Sequence, residues 1–398
     1  MGYTVTTIDI IYLFLIGTIL IVYVFSSRNI PFKGLVCTGI LLRIGLLVCD
    51  LYHLFPIPNL GADSEVFHSI AYHNALYGDS GKLTNYTDFL TLVYTYTGQS
   101  RMIGQLINVI FGLGVILYGQ KCLQLYHVNH KYMHIGTLIL CLAPNLIIFS
   151  GGLLREAWCE FFITVSIYQF LKWFKYGNPI SFLLSCLMVL AASYMHSGSI
   201  GVIAGYMIVY ILYNRNKNQF KFTFRSIFAS CIVIAFSMFF FQHMDIFGEK
   251  MEGMDGENTD EMFVSQYNSA LGGGSDYLTN LPVNSMGGAL LFSPLKMIYF
   301  TFSPMPWDWR GFNDLLAFLI DSIIYVLLCW GIIKSTGNSY AKLRTGLIIS
   351  LLSVVFIFGI GVTNAGTAMR HRAKLLSLFV ITYCISQSKT RKVYLTKK

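Results

Sequence analysis

The stretch NAGTAMRHRAK, residues 364–374, gathers side chains that could bind an anion. Between Arg370 and Lys374 it holds three Arg or Lys residues and a histidine. Guanidinium groups bind phosphate oxygens in pairs, and the small residues around Gly366 permit close approach of a ligand. Arg370 and Arg372 diverge by about 200° if the stretch is helical, and they share a side if it is extended. The stretch predicts a phosphate or diphosphate site, with contact to lipid phosphates as the alternative.

A second charged group lies in GGLLREAWCEFF, residues 151–162. Arg155 and Glu156 are adjacent, whereas Glu156 and Glu160 are four positions apart and share a helix face. Two carboxylates on one face near a membrane need a cationic partner. We therefore expect Arg155 to bind the diphosphate and Glu156 to be a candidate general base. The alternative is an Arg155 side chain that extends to the lipid headgroups.

Two other segments offer acid–base candidates. His196 lies at the tip of the tight turn SYMHSGSIG and is a candidate base, although a lone histidine is more often a structural hydrogen-bonding residue. In GADSEVFHSIAYHNAL, Asp63 is a second candidate base or a helix N-cap, and His68 is a candidate glycan ligand. A metal held by Asp63, Glu65 and His68 is a weaker alternative, and we assign no metal and no cofactor.

The segment SPMPWDWRGFND, residues 303–314, places two tryptophans beside a carboxylate and a guanidinium. Flat aromatic faces stack on the C–H groups of sugar rings, and the charged groups can hold hydroxyls. We therefore predict glycan binding by Trp307, Asp308, Trp309 and Arg310. A belt of aromatic residues at the membrane interface explains the tryptophans equally well at this point.

Membrane-spanning helices must position these side chains. The chain has 398 residues, of which 55% are hydrophobic and only 12% charged, and its mean hydropathy is +0.59. Soluble domains carry about twice that share of charge, so the composition excludes them and predicts an all-α, polytopic membrane bundle formed by residues 1–398 as one domain. Windows long enough to span a bilayer occur eleven times: 8–26, 35–53, 103–119, 133–150, 157–171, 179–195, 199–213, 226–241, 314–333, 345–362 and 375–388. The run 286–303 contains a lysine and a proline and is predicted to be a re-entrant or surface helix.

The charge distribution predicts the orientation. With the N-terminus outside and the C-terminus in the cytoplasm, every inner connection is basic and none contains Asp or Glu. The net charge of +9 then reflects topology and anionic lipids, not a nucleic-acid partner. Two large loops, residues 54–102 and 242–313, are predicted to cover the outer mouth of the bundle. The stretch 364–374 also falls outside, against the positive-inside rule, and an anionic ligand would explain that exception.

The order of these motifs resembles the EpsG/Wzy-type family of bacterial polysaccharide polymerases. The resemblance rests on G-x-x-R-E at 152–156, H-S at 196–197, the acidic outer loop and the late pair of arginines. It implies that Arg155, His196 and either Arg370 or Arg372 belong to an active site. It also implies a metal-independent transfer, inverting or retaining, in which a polyprenyl-diphosphate-linked glycan passes to another lipid-linked repeat unit. Chain-length regulators or flippases are the protein partners that such an activity implies, and the bacterial cytoplasmic membrane is the implied location.

Two other functions remain open from the sequence. Asp63 with Glu65, together with WDWR, is similar to membrane glycosyltransferases that take one sugar from a polyprenyl phosphate. In that class the acidic motif usually follows the first span, whereas here it follows the second. A transporter or flippase is the third hypothesis, and an intramembrane pair between Arg43 and Asp321 across a cavity would favour it.

Overall fold

The computed structural model describes residues 5–57, 60–78, 84–243, 274–279, 281, 285–335 and 340–388. Over these residues the protein is almost entirely helical, with one two-stranded hairpin. The predicted all-α membrane protein is therefore confirmed. The acidic part of the second predicted loop, from residue 244 to residue 273, lies outside the described residues, and so does the basic tail after residue 388.

The helices follow one another closely along the chain. Four short elements interrupt them, namely the hairpin, 3₁₀ turns at Ser197–Ile200 and Pro306–Asp308, and a π-helical stretch at Phe318–Ser322. The α-helices and strands are α1 Thr7–Ser26, α2 Lys33–Leu51, α3 Gly61–Tyr77, α4 Asn85–Thr97, α5 Arg101–Leu125, α6 His130–Leu142, α7 Pro144–Gly151, α8 Glu156–Tyr176, α9 Pro179–Met195, α10 Gly201–Leu212, β1 Tyr213–Asn214, β2 Gln219–Phe220, α11 Phe224–His243, α12 Met286–Leu291, α13 Ser293–Phe302, α14 Phe312–Lys334, α15 Ala341–Gly361, α16 Ala365–Ala373 and α17 Leu376–Gln387.

Each of the eleven predicted apolar windows lies largely in helix, although 133–150 is interrupted at residue 143 and 199–213 ends in β1. Five helices, α1, α2, α5, α14 and α15, are long and apolar enough to cross a membrane, and a sixth crossing results if α6 and α7 form one bent span. The count of eleven crossings stays a prediction, because α9, α10, α11 and α17 are shorter apolar helices. The run 286–303 forms two short helices, α12 and α13, of which α13 packs against α15. We call the end of the bundle where α8 begins the outer end, and the opposite end the inner end, following the charge distribution.

The bend between α6 and α7 has a specific cause. Pro144 has no N–H to donate to Leu140 O, and the two helices diverge by 45°. Arg43 on α2, which is 1% exposed, donates instead to Leu140 O at 3.1 Å and to Cys141 O at 3.0 Å. Its Nε donates to Ser150 Oγ at 2.8 Å. Arg43 thus satisfies carbonyl groups that the break leaves without helical partners.

The first predicted outer loop forms a helical layer over the outer end. Helices α3 and α4 pack on each other and cover an apolar cluster that includes Phe67, Tyr94 and Trp158. Arg101 on α5 joins this layer to the bundle, and its Nη2 lies 2.9 Å from Asp50 Oδ2 on α2, inside the bundle. Arg101 Nη1 also lies 2.6 Å from Glu65 Oε1 on α3. Sequence reasoning missed this role of Arg101 and Asp50.

Candidate active site

Helix α16 carries the basic stretch, and its start is defined by an asparagine cap. Asn364 Oδ1 accepts hydrogen bonds from the N–H groups of Gly366 at 2.8 Å and Thr367 at 3.3 Å. Asn364 Nδ2 donates to Asp276 Oδ1 at 3.0 Å, which fixes the cap against a described segment of the second predicted loop. Because residues 365–373 are helical, the two arginines point to opposite sides, and the extended alternative is wrong.

Arg370 joins three elements at the outer end. Its Nε donates to Glu156 Oε1 on α8 at 2.5 Å, and its Nη1 donates to Asp63 Oδ2 on α3. Lys374 Nζ lies 3.7 Å from the same oxygen of Glu156. Glu156 is 2% exposed, whereas the Asp63 side chain is 48% exposed. The two carboxylates that are predicted to need a cation therefore differ. Glu156 contacts two cations, whereas Glu160 lies one helical turn further along α8.

Two histidines extend this group. Lys374 Nζ lies 3.1 Å from His371 Nδ1, and the His371 ring meets the His196 ring edge to face at 4.5 Å. Both rings also pack on Phe358 of α15. Gly201, at the start of α10 just after the turn that carries His196, lets α10 approach α15 closely, because a Cβ at this position would lie 2.8 Å from Val354 Cα. The seven residues Asp63, Arg155, Glu156, His196, Arg370, His371 and Lys374 are called the outer cluster below.

Charge and burial determine the protonation of the outer cluster. Burial lowers the pKa of His196 well below 6.5, and Lys374, His371 and the two arginines lower it further. Burial likewise lowers the pKa of His371, and the cations Lys374, Arg370 and Arg155 lower it further. Burial also lowers the pKa of Lys374 to about 8, although the Glu156 carboxylate opposes the shift. Both histidines are therefore neutral at pH 7, and each has a ring nitrogen able to accept a proton.

Four atoms of the outer cluster are buried without a hydrogen-bond partner among the described residues. They are Arg155 Nε, Glu156 Oε2, His196 Nδ1 and Arg370 Nη2. A buried polar atom left unpaired costs roughly 1–3 kcal/mol, so native proteins rarely retain several at one place without water or a ligand. Because these atoms come from α8, α16 and the turn before α10, the outer cluster has both donors and acceptors available to a ligand.

Arg372 lies in a different place from Arg370. It is 0% exposed, and its Nε donates to Asp321 Oδ2 at 2.7 Å within the π-helical stretch of α14. Its other donors reach Ser322 Oγ at 2.9 Å and the carbonyl groups of Thr301 and Phe300. Every donor nitrogen of Arg372 is thus engaged inside the bundle, and its position does not reach the outer cluster. Of the two arginines on α16 that are expected to hold a diphosphate, only Arg370 has a donor without a partner among the described residues.

The candidate ligand and base residues on α3 also have different partners. Asp63 contacts Arg370, Glu65 contacts Arg101, and His68 Nδ1 lies 2.8 Å from Tyr94 OH. His68 is 8% exposed, and burial with the Arg101 charge lowers its pKa to about 4. The described part of the chain contains no group of three His, Cys, Asp or Glu side chains able to hold a metal. The structure thus brings Asp63 to the outer cluster but directs Glu65 and His68 elsewhere.

The WDWR segment borders the start of α16. A small pocket lined by Asp308, Arg310 and Ala365 lies there, and Asp308 Oδ2 is buried without a partner in the described regions. Trp307 is 71% exposed, whereas Trp309 stacks obliquely on Phe318 at 5.4 Å. Arg310 donates to the carbonyl groups of Gly274 and Asp276 and thereby holds the chain that caps α16. Trp307 and Asp308 are the two members of the predicted platform that remain available to a glycan.

The sequence places His371 and Lys374 in the predicted anion-binding stretch but assigns neither of them an individual role in the site. The signal was present, because residues 370 and 374 are four apart and residues 371 and 374 are three apart, and such pairs share a helix face. Comparisons of this chain with protein-family models, with curated proteins and with solved structures found no match. The family resemblance drawn from the motifs stays a prediction.

Proposed function

We propose that this protein is a membrane glycosyltransferase that polymerises polyprenyl-diphosphate-linked glycan repeat units on the outer face of a bacterial cytoplasmic membrane. The outer cluster is the observation that supports this proposal most. It combines three cations with two carboxylates and keeps four buried polar atoms unpaired. An anionic ligand would satisfy the donors among them, and a hydroxyl would satisfy an acceptor.

The diphosphate of the donor fits the cations of the outer cluster. Arg370 already uses Nε and Nη1 on carboxylates, which orients its guanidinium and leaves Nη2 for a phosphate oxygen. Arg155 adds an unpaired Nε, and Lys374 adds charge. In the transfer, the anomeric C–O bond to the diphosphate breaks and the diphosphate leaves with the electron pair. Preorganised cations stabilise that growing negative charge, a contribution typically of about 3–4 kcal/mol per donor.

His196 is the base that we assign. Its Nδ1 is unpaired and neutral at pH 7, whereas Glu156 Oε1 already accepts from Arg370. The hydroxyl oxygen of the acceptor sugar forms the new bond to the anomeric carbon while its proton passes to His196 Nδ1. Cations lower the pKa of His196, so a bound diphosphate would raise it by offsetting their charge. The base therefore becomes stronger when the donor is in place.

The WDWR segment can contact the sugar next to this diphosphate from its exposed side, because the pocket itself, at about 10 Å³, is too small to enclose a sugar ring. Ala365 borders the pocket and Arg370 lies five residues further along α16, a separation of about 7.5 Å along the helix axis. That distance suits a sugar ring joined to a phosphate. Trp307 then stacks on the ring, and the unpaired oxygen of Asp308 accepts a hydroxyl.

Glycan gels of a host strain that lacks this chain test the proposal. We expect the wild-type gene to restore a ladder of long chains, while Arg155→Gln, Arg370→Gln and His196→Gln each reduce polymerisation roughly 10²–10³-fold and leave single lipid-linked units to accumulate. Arg225→Gln is the control, because Arg225 is exposed near the inner end. Long ladders in all three variants, at protein levels equal to the wild type, would exclude this assignment.

The single-sugar transferase is the second candidate, and the pairing of Asp63 with Arg370 favours keeping it. An acidic residue after an early span is a feature that such enzymes share. The same gel separates the two functions, because a single-sugar transferase adds one sugar and produces no ladder. The transporter hypothesis loses its support, since Arg43 contacts carbonyl groups beside Pro144 and Asp321 contacts Arg372.

A further inference from the structure

A cavity of about 650 Å³ lies at the inner end of the bundle. It forms where the C-terminal ends of α5 and α8, the β-hairpin and the N-terminal end of α15 meet. Helix α8 connects it to the outer cluster, and the 21 residues of that helix separate the two places by about 30 Å. The cavity is therefore independent of the outer cluster and of the function proposed for it.

Three cations line the cavity, namely Lys175, Arg215 and Lys342. No Asp or Glu is among the described residues that line it. Each cation comes from a different element, respectively the end of α8, the turn of the hairpin and the start of α15. Basic residues around a cavity usually form ion pairs with neighbouring carboxylates. These three cations have no carboxylate among the described residues that line the cavity.

Hydrogen bonds to main-chain carbonyl groups hold the cations in place. Lys175 Nζ donates to Leu125 O at 2.7 Å, and Arg215 Nη1 donates to Trp173 O at 2.5 Å near the C-terminal end of α8. Lys342 Nζ donates to Asn218 O. These bonds fix the direction of each side chain, while Arg215 Nε and Nη2 make no bond to a described residue.

The walls between the cations are aromatic. Tyr126 and Tyr340 meet edge to face at 5.3 Å, and Phe174 stacks on Tyr213 at 4.4 Å. The tyrosine hydroxyls are already engaged, for example Tyr340 OH with Tyr126 O at 2.8 Å. The rings therefore offer apolar faces for the carbon-bearing part of a ligand, and the cations offer the polar contacts.

We propose that this inner cavity binds a phosphate-bearing ligand. Its volume exceeds that of a phosphate ion and falls in the range of small-molecule sites, roughly 300–1,000 Å³. Phosphate oxygens suit one guanidinium and two ammonium groups that have no carboxylate between them. Two sources carry this chemistry at the inner end, namely the headgroup of an anionic phospholipid and a free phosphate compound.

Binding to the purified full-length protein tests the proposal. Native mass spectrometry measures retained phosphatidylglycerol against phosphatidylcholine, and equilibrium dialysis measures bound pyrophosphate. We expect the triple variant K175Q/R215Q/K342Q to lose at least roughly tenfold in binding one of the two probes, because each cation that is removed takes away a charge-assisted contact. Selective loss of phosphatidylglycerol identifies a lipid headgroup, and loss of pyrophosphate identifies a free phosphate compound.

The matched control is the triple variant K121Q/K131Q/R225Q. It removes the same number of lysines and arginines from exposed positions near the inner end, and none of the three lines the cavity. Since Arg215 also caps α8, the pair K175Q/K342Q against K121Q/K131Q repeats the test without that helix contact. Equal losses in the cavity and control variants, or no loss in either, would overturn the proposal.

Discussion

Replacing Arg372 by leucine separates a structural arginine from a ligand-binding one. The guanidinium of Arg372 bonds Asp321 through Nε and Nη2, Ser322 Oγ through Nη2, and the Thr301 and Phe300 carbonyl groups through Nη1. Leucine removes all of these hydrogen bonds at once. The Asp321 carboxylate is then left buried in the bundle with the hydrogen bond from Asn145 alone, at 2.7 Å.

The expected cost follows from that unpaired charge. Removing one partner of a buried ion pair typically destabilises a protein by about 3–5 kcal/mol. For a chain of this size such a loss lowers the thermal midpoint by roughly 4–6 °C. Replacing both partners, in R372L/D321L, removes the uncompensated charge, so we expect the double variant to recover most of the lost stability.

Thermal unfolding of the detergent-purified protein measures this prediction as a double-mutant cycle. Arg372→Leu and Asp321→Leu are each compared with the double variant, and the glycan ladder is recorded for the same three proteins. A structural pair gives strong coupling in stability, and the double variant makes long chains again. If Arg372→Leu left the midpoint unchanged yet abolished long chains, Arg372 would be a ligand-binding residue and our assignment would be wrong.

Three other experiments test parts of the fold and of the site. We expect Glu65→Gln, at a half-exposed member of the Arg101 ion pair, to cost under about 1 kcal/mol, and Asp50→Asn, at the buried member, roughly 3 kcal/mol, both measured by thermal unfolding. Because the pKa values of His196 and His371 lie below 6.5 in the folded protein, the unfolded chain binds protons that the folded chain does not. Stability therefore falls as the pH drops below about 6.5, by up to about 1.4 kcal/mol per pH unit for each histidine. The thermal midpoint of the double variant H196N/H371N should depend less on pH than that of the wild type. His68 on α3, whose pKa is also lowered, is unchanged in that variant, so part of the pH dependence of stability remains. Trp307→Ala should shift stability by less than about 0.5 kcal/mol, since the ring is 71% exposed, but shorten the glycan ladder on gels. An unshortened ladder would remove Trp307 from the glycan platform.

The helical segments could be predicted from the sequence because hydropathy is a local property. Each window of apolar residues is long enough to favour a helix in a membrane whatever it packs against, and helix covers most of each window. Local signals also explain the start of α16, where Asn364 precedes small residues. Read as a cap, Asn364 predicts the helix and hence the opposite directions of Arg370 and Arg372.

The partners of the charged side chains could not be predicted in this way. Arg370 and Asp63 are 307 positions apart, and Arg372 and Asp321 are 51 apart. Such contacts depend on which helices lie side by side, which neither composition nor spacing determines. Arg43 and Asp321 illustrate this, because both lie within apolar windows with opposite charge and yet each has another partner.

Hydrogen-bond satisfaction distinguishes the arginines more sharply than their position along the chain. Arg43 and Arg372 lie deep in the bundle, where an unpaired donor is most costly, and both bond through all three nitrogens. One unpaired atom does not define a site, since Arg101 also keeps its Nε unpaired although it is held by two carboxylates. In the outer cluster, by contrast, unpaired donors from Arg155 and Arg370 adjoin an unpaired histidine nitrogen and carboxylate oxygen. Their shared lack of partners among the described residues is the observation that supports the ligand site that we propose there.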